Sequence, residues 1–152
     1  MNTVEIRQLE VSELDDAARL LGILNPDIPL PVVRERLATM MADHPHYQIA
    51  GAFSGGRLVG VCGAWVYTKI WCGRHLEIDN LVVDPERRGS GIGTHFISHF
   101  TALARELGCN SMTLDSYANN HASHRLYQRH GFEPWSIHFV NPIGNWKGVD
   151  PT

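Results

Sequence analysis

The sequence has no apolar run approaching the roughly 20 residues that a membrane-spanning helix needs. Its first stretch, MNTVEIRQLEV, lacks the basic segment and long apolar core of a secretory signal. Lysines form no cluster and the formal net charge is −3, which disfavours nucleic-acid binding by phosphate neutralisation. Cysteine is scarce: Cys62, Cys72 and Cys109 are odd in number, widely spaced and never arranged as C-x-x-C. That pattern argues against a disulfide framework and fits reduced thiols in a cytoplasmic protein. No repeat, low-complexity segment or linker stands out. With 43% hydrophobic and 19% charged residues, the composition is that of a folded chain. One domain over residues 1–152, long enough to bury a real core, is expected.

What is present is a change of period along the chain. "VEIRQLEV" alternates apolar and polar from Val4, as a half-buried strand does. Ser12 reads as an N-cap, with Asp15 in the first turn. Leu14, Ala17, Ala18, Leu21 and Leu24 form a helical stripe that Pro26 stops. A second helix is predicted from near Pro31 to about Met41. "YQIAGAFSGGRLVGVCGAWVYTKI" reads as a hairpin turning at "SGGR", and "HLEIDNLVVD" as a third strand ended by Pro85. Ile92, Phe96, Phe100, Leu103, Ala104 and Leu107 predict a helix closed by Gly108. "SMTLDSY" is a further strand, residues 120–130 a short helix ended by Gly131, and "FEPWSIHFVN" a final strand. The Pro- and Gly-rich tail from about residue 141 reads as irregular. The fold class is α+β: a mixed sheet with about four helices packed on it, not an alternating doubly wound fold.

Between the third strand and its helix stands "ERRGSGIGTHF". The first N–H groups of a helix lack intrahelical partners, and the helix dipole adds positive potential there. Glycines let a phosphate approach those groups without a Cβ in the way, and Arg87 or Arg88 adds a charge-assisted bond. A Walker loop needs a lysine before its Ser or Thr, whereas Gly93-Thr94-His95 has none. The dinucleotide fingerprint needs G-x-G-x-x-G after the first strand of a βαβ unit; Gly89, Gly91 and Gly93 give G-x-G-x-G after a hairpin. Spacing alone leaves a ligand-free glycine turn open.

Two motifs narrow the choice. Arg88-Gly89-Ser90-Gly91-Ile92-Gly93 fits Gln/Arg-x-x-Gly-x-Gly/Ala, and "LVVDPERRGSGIG" resembles the fourth strand and pyrophosphate loop of the GNAT superfamily of N-acetyltransferases. "NNHASHRLY", closing with Gly131-Phe132, resembles that family's Asn-x-x-Ala-x-x-Leu-Tyr motif, with Ser123 where alanine is usual. The order of elements is similar over nearly the whole chain. The resemblance implies a twisted mixed sheet whose strands splay at the cofactor site, and acetyl-CoA as cosubstrate. Backbone N–H groups over Gly89, Ser90, Gly91, Ile92, Gly93 and Thr94 would carry the pyrophosphate, beside Arg88. The pantetheine arm would pair with Leu81, Val82 and Val83, near Asn120 and Ser123. The thioester would lie in the gap between that strand and "SMTLDSY".

The implied reaction is direct acetyl transfer to a primary amine on a small molecule or peptide, without an acetyl-enzyme. An amine must lose a proton before it attacks, so a base is needed, directly or through water. An N–H at Leu81 or Val82 would stabilise the oxyanion. Tyr127 matches the family tyrosine that protonates the thiolate; on residues alone the preferred reading is a half-buried tyrosine with its hydroxyl at the surface. Glu77, Asp79 and Asp115 are the carboxylates near the gap, Glu77 ranked first and Asp79 second. Strand parity places Glu77 and Asp79 on one face with Leu81 and Val83, and Asn80 on the other, unless a bulge shifts it.

The other constellations have bland readings beside the functional ones. Nine histidines include His95 and His99 one helical turn apart, but Phe96 stands where a metalloprotease motif needs glutamate, so no metal is expected. Trp65 and Tyr67 point the same way and either pack on a helix or wall an acceptor pocket; Trp71 and Ser116-Tyr117 lie near the same mouth. No G-x-S-x-G elbow supports a serine hydrolase. Cys62, in a strand, is expected to be buried and inert. The competing class is a silent acyl-CoA-binding or sensing domain, which would share the loop and lack the acceptor-side chemistry. No nucleic-acid or membrane partner is expected, and a homodimer is left open.

Overall fold

In the computed structural model, residues 3–148 are described. Five strands form one sheet in the order β1 (Val4–Gln8), β2 (Tyr47–Ser54), β3 (Arg57–Lys69), β4 (Gly73–Val83), β5 (Ser111–Leu114). The first four are antiparallel neighbours, and β5 joins β4 in parallel, so the sheet is mixed as expected. Between β1 and β2 run α1 (Leu14–Leu24) and α2 (Leu30–Asp43); α3 (Ile92–Glu106) crosses from β4 to β5, and α4 (His121–Arg129) follows.

Local chemistry accounts for these elements. The turn between β2 and β3 needs left-handed backbone at both central residues, and Gly55 and Gly56 supply it with φ of 58° and 78°. The start of α1 differs from the sequence reading: Ser12 is not its N-cap. A single 3-10 turn (Val11–Glu13) precedes the helix, and Glu13 Oε2 reaches back to accept the Glu10 N–H at 2.8 Å. Glu13 also holds the Arg7 guanidinium, so an acid three residues into the turn outcompetes the serine.

Two apolar cores lie on opposite faces of the sheet. Leu14, Ala17, Leu20 and Leu21 of α1, with Val33 and Leu37 of α2, close over Tyr47, Ile49 and Val61. On the other face Ile92, Phe96, Ile97 and Phe100 of α3 cover Ala52, Cys62, Leu76 and Ile78, with Leu126 and Tyr127 of α4 at the margin. Gly60 makes this second contact possible, because a Cβ there would come within 3.0 Å of the Phe96 ring. Phe96 is fully buried. Phe96→Ala is expected to cost about 3–5 kcal/mol, read as a drop in the urea midpoint with an unchanged slope.

Two strand expectations fail. "SMTLDSY" pairs only over Ser111–Leu114, because β4 turns away beyond Ile78. The final strand "FEPWSIHFVN" does not form a ladder. The Phe132 N–H is taken by the Tyr127 carbonyl at 3.0 Å, and Pro134 has no N–H to give. Residues 135–148 belong to no strand.

Candidate active site

The site is made by an irregularity in β4. Val82 faces Val61 across the ladder, yet Asp79 faces Gly63, so an extra residue of β4 is accommodated there. Asn80 absorbs it with a left-handed φ of 60°, a conformation open to asparagine. One result is the splay: β4–β5 pairing stops at Ile78↔Leu114, immediately before the bulge. A second is a reversal of side-chain direction. Leu81 and Val83 pack into the α3-side core, whereas Val82 packs with α1. Trp65, in the α1-side cluster, holds Asp79. The parity expectation is therefore corrected. Asp79 does not share a face with Leu81 and Val83, and Asn80 lies on the α1–α2 side, where it lines a cavity.

The bulge also decides which backbone groups the sheet leaves over. The Asp84 N–H donates to the Val59 carbonyl. The Val82 carbonyl sits 3.2 Å from where a Gly60 Cβ would be, so it too faces β3. Backbone groups alternate along a strand, so those of Leu81 and Val83 face the gap left by β5.

Below the gap the glycine loop is braced from behind. Asp84, nearly buried, accepts the Glu86 N–H at 3.0 Å and pairs with Arg57 at 3.2 Å. Arg87 donates to Ser54 Oγ at 3.0 Å, and Ser90 Oγ donates to the Arg87 carbonyl. Arg88 makes no such bond among the described residues and is the arginine available to an anion. Gly89 and Gly91 have φ of 79° and 83°, and a Cβ on either would meet nothing within 4 Å. The loop therefore presents open backbone, with Gly91 as N-cap of α3 and no acidic side chain in the first turn. Gly93 is different: a Cβ there would strike Leu126 Cδ2 at 3.0 Å, so its bareness serves the packing of α4 on α3. Thr94 Oγ1 lies 3.2 Å from His130 Nε2.

On α4, Asn120 is the N-cap and its Oδ1 accepts the Ser123 N–H at 3.3 Å. Tyr127 is half-buried. Burial, and then the nearby Cys62 thiol, push its phenol above the usual range, partly offset by Ser123. Cys62 is fully buried and its thiol is pushed well up, as an inert core sulfur is.

Of the carboxylates, Asp79 is half-buried and accepts the Trp65 indole N–H at 2.9 Å. Burial raises its pKa, the Trp65 hydrogen bond opposes this, and the charges of Glu77 and Asp115 add to the rise. Glu77 accepts the Tyr67 hydroxyl at 2.9 Å, and Asp115 pairs with His138 at 3.3 Å. Trp65 sits at the edge of the α1–α2-side core, packs on Tyr47 with centroids 4.7 Å apart and donates its indole N–H to Asp79. Trp71 and Tyr117 are exposed. Among the described residues no three His, Cys, Asp or Glu gather as metal ligands, and no helix is long and apolar enough to cross a membrane.

A cavity of about 170 Å³ opens on the α1–α2 side, lined by Leu21, Asn25, Arg36, Met40, Tyr47 and Asn80 among others. Sequence reading missed Asn25, Arg36 and Tyr47. Asn25 donates its side-chain N–H to the Leu21 carbonyl at 2.9 Å, and Tyr47 Oη is buried with no hydrogen-bond partner among the described residues. The only available signal was a tyrosine opening a mainly apolar strand.

The candidate site thus combines a helix terminus with open backbone, a strand edge exposed by a bulge, and a cavity on the far side of that strand. Residues 11–132 match the model of the Acetyltransferase (GNAT) family, and the chain belongs to that family. It is an acetyl-CoA-dependent N-acetyltransferase by this membership and its relatives. The glucosamine 6-phosphate N-acetyltransferase of Trypanosoma brucei brucei is 30% identical over 139 residues, 85% of this chain and 88% of that protein. The aminoalkylphosphonate N-acetyltransferase of Salmonella typhimurium is 25% identical, covering 94% of both. In fold, the chain is similar to the aminoglycoside N-acetyltransferase AAC(6')-Iy in complex with CoA. The TM-score is 0.83 at 20% identity, over 95% of this chain and 97% of that one.

Proposed function

We propose that this chain transfers the acetyl group of acetyl-CoA directly to a primary amine held in the α1–α2-side cavity, both substrates being bound at once. The observation that carries this reading is the Asn80 bulge, which opens the β4–β5 gap and lines the acceptor cavity with the same residue. Acetyl-CoA supplies the thioester. The backbone from Gly89 to Thr94, with Arg88, holds its pyrophosphate; Asn120 and Ser123 flank the pantetheine arm. Of the two oxyanion candidates, Leu81 is favoured, because the Val82 backbone is turned to β3. Asp79 takes the amine proton, directly or through water. Its raised pKa and position beside the bulge favour it over Glu77, which is engaged by Tyr67. Tyr127 keeps its proton at neutral pH and gives it to the departing thiolate.

The small cavity suits a small amine. Arg36 on its wall, whose Nη2 donates to the Trp146 carbonyl, favours an acceptor that also carries an anionic group. The named relatives act on an aminosugar phosphate and an aminoalkylphosphonate, which is in keeping with this. The test is thiol release from acetyl-CoA across a panel of amines with and without phosphate or phosphonate. Amine-dependent release, greatest for the anionic acceptors, is expected. Tight CoA binding with no release on any amine would instead indicate a CoA-sensing domain. Tyr127→Phe is expected to lower kcat by about 10–100-fold with CoA affinity nearly intact, measured by steady-state kinetics and calorimetry. Unchanged kcat would remove Tyr127 from the chemical step.

A further inference from the structure

Tyr47 opens β2 and stands opposite Trp65 in the ladder with β3. Its ring does not stay over its own partner. A Cβ on Gly63, two residues back along β3, would lie 2.3 Å from Tyr47 Oη and 2.8 Å from Cζ. The ring therefore leans across β3 and its hydroxyl rests on the bare backbone of Gly63. Gly63 in turn pairs with Asp79 on β4. The hydroxyl is thus carried toward that carboxylate and the bulge beside it, where Tyr47 and Asn80 both line the α1–α2-side cavity. Burial, and next the charge of Asp79, hold the phenol above its usual range, so it is a protonated O–H at neutral pH.

Tyr47 is only 8% exposed, and Oη has no hydrogen-bond partner among the described residues. Trp65 packs against the ring but gives its N–H to Asp79. Two other polar groups of the cavity wall are engaged, Asn25 with the Leu21 carbonyl and Arg36 with the Trp146 carbonyl. A buried hydroxyl without a partner costs stability, and phenylalanine would fill the same space without that cost. Folding gives no reason to keep the oxygen; a ligand in the cavity does.

We propose that Tyr47 selects the acceptor amine, its Oη accepting a hydrogen bond from the one amine N–H that survives the reaction. This rests on the reading of the cavity as the acceptor site and of Asp79 as the base. An alkylammonium brings three nitrogen-bound hydrogens. Asp79 takes one before attack. The N–C bond then forms and the C–S bond breaks, and a second proton leaves nitrogen to replace, through solvent, the one that Tyr127 gives the thiolate. The third stays in the product amide. Tyr47 holds this third hydrogen, which leaves the nitrogen lone pair free to face the thioester. An N-methyl amine has no third hydrogen and sets a methyl group against the buried oxygen. A site built to bond a substrate N–H rejects an analogue lacking it, because the site's own polar group is then left unpaired.

The test compares wild type with Tyr47→Phe on 2-aminoethylphosphonate and ethanolamine, each beside its N-methyl derivative. Thiol release from acetyl-CoA gives kcat/KM, calorimetry gives CoA affinity and circular dichroism gives Tm. The wild type is expected to prefer the primary amines by about 100-fold or more. Tyr47→Phe is expected to lose about 10–100-fold in kcat/KM on the primary amines and little on the N-methyl ones, so that the preference shrinks. CoA affinity is expected to be unchanged and Tm equal or higher, since no protein hydrogen bond is lost. An active wild type whose preference survives the substitution, or a variant that loses equally on all four amines, overturns the assignment of Tyr47 alone. A lowered Tm does so too, by showing that the hydroxyl serves the fold. No release by the wild type from any of the four overturns the transferase reading, and this inference with it.

Discussion

Gly91→Asp is expected to abolish measurable CoA binding, with turnover falling in step. Gly91 caps α3 with a left-handed φ of 83°, and a side chain there points into space free of protein atoms. In the proposed function that space belongs to the pyrophosphate. Two unit charges 4 Å apart interact by about 4 kcal/mol at a surface-like effective dielectric of about 20. Screening reduces that, leaving a loss of about 100-fold or more in affinity. Backbone strain alone must be separated from charge. Gly108 provides the control: its φ is 72°, and a Cβ on it also meets nothing within 4 Å. It lies past the C-terminal end of the same helix, about 25 Å away at 1.5 Å per residue. Gly108→Asp is expected to lower stability modestly and leave CoA affinity unchanged by calorimetry. Equal affinities for the two variants would show that the loop does not hold the phosphates.

The readable and unreadable parts of this sequence divide by physical cause. The α3 stripe from Ile92 to Ala104, the Gly55-Gly56 turn and the glycine stop at Gly108 were legible because each is local. Periodicity, or a required φ, is written into consecutive residues. The Asn80 bulge was not, although it fixes the site. An asparagine within "HLEIDNLVV" carries no mark of a left-handed conformation, and strand parity then assigned Leu81 and Val83 to the wrong face. The proposed acceptor cavity was equally hidden. Asn25, Arg36 and Tyr47 come from the end of one helix, the face of another and the start of a strand, and only packing brings them together. The missing last strand is a third kind of case. Its pattern is right, but pairing also needs a neighbouring edge in register, which periodicity does not specify.

Asp79→Asn is the sharper test of the chemistry, because it separates activity from stability. Asparagine keeps the acceptor for the Trp65 indole N–H and nearly the same shape, so local packing is preserved. It loses the capacity to take a proton. With Asp79 as base, kcat/KM is expected to fall by about 100-fold or more, and the acid limb of its pH profile to disappear. That limb in the wild type is expected above the ordinary carboxylate range, because burial raises the folded-state pKa. The effect on stability has the opposite sign. The folded protein binds this proton more tightly than the unfolded chain does. Unfolding free energy therefore falls as pH rises from the ordinary aspartate range through the raised value, and at neutral pH the charged carboxylate is a net cost. Removing the charge is expected to leave thermal stability at neutral pH unchanged or slightly higher. Glu77→Gln, which retains the acceptor for Tyr67, is expected to keep wild-type kcat/KM within a few-fold. A larger loss at Glu77 than at Asp79 would reverse the assignment of the base. Normal activity in both variants would point to water as the route for the amine proton.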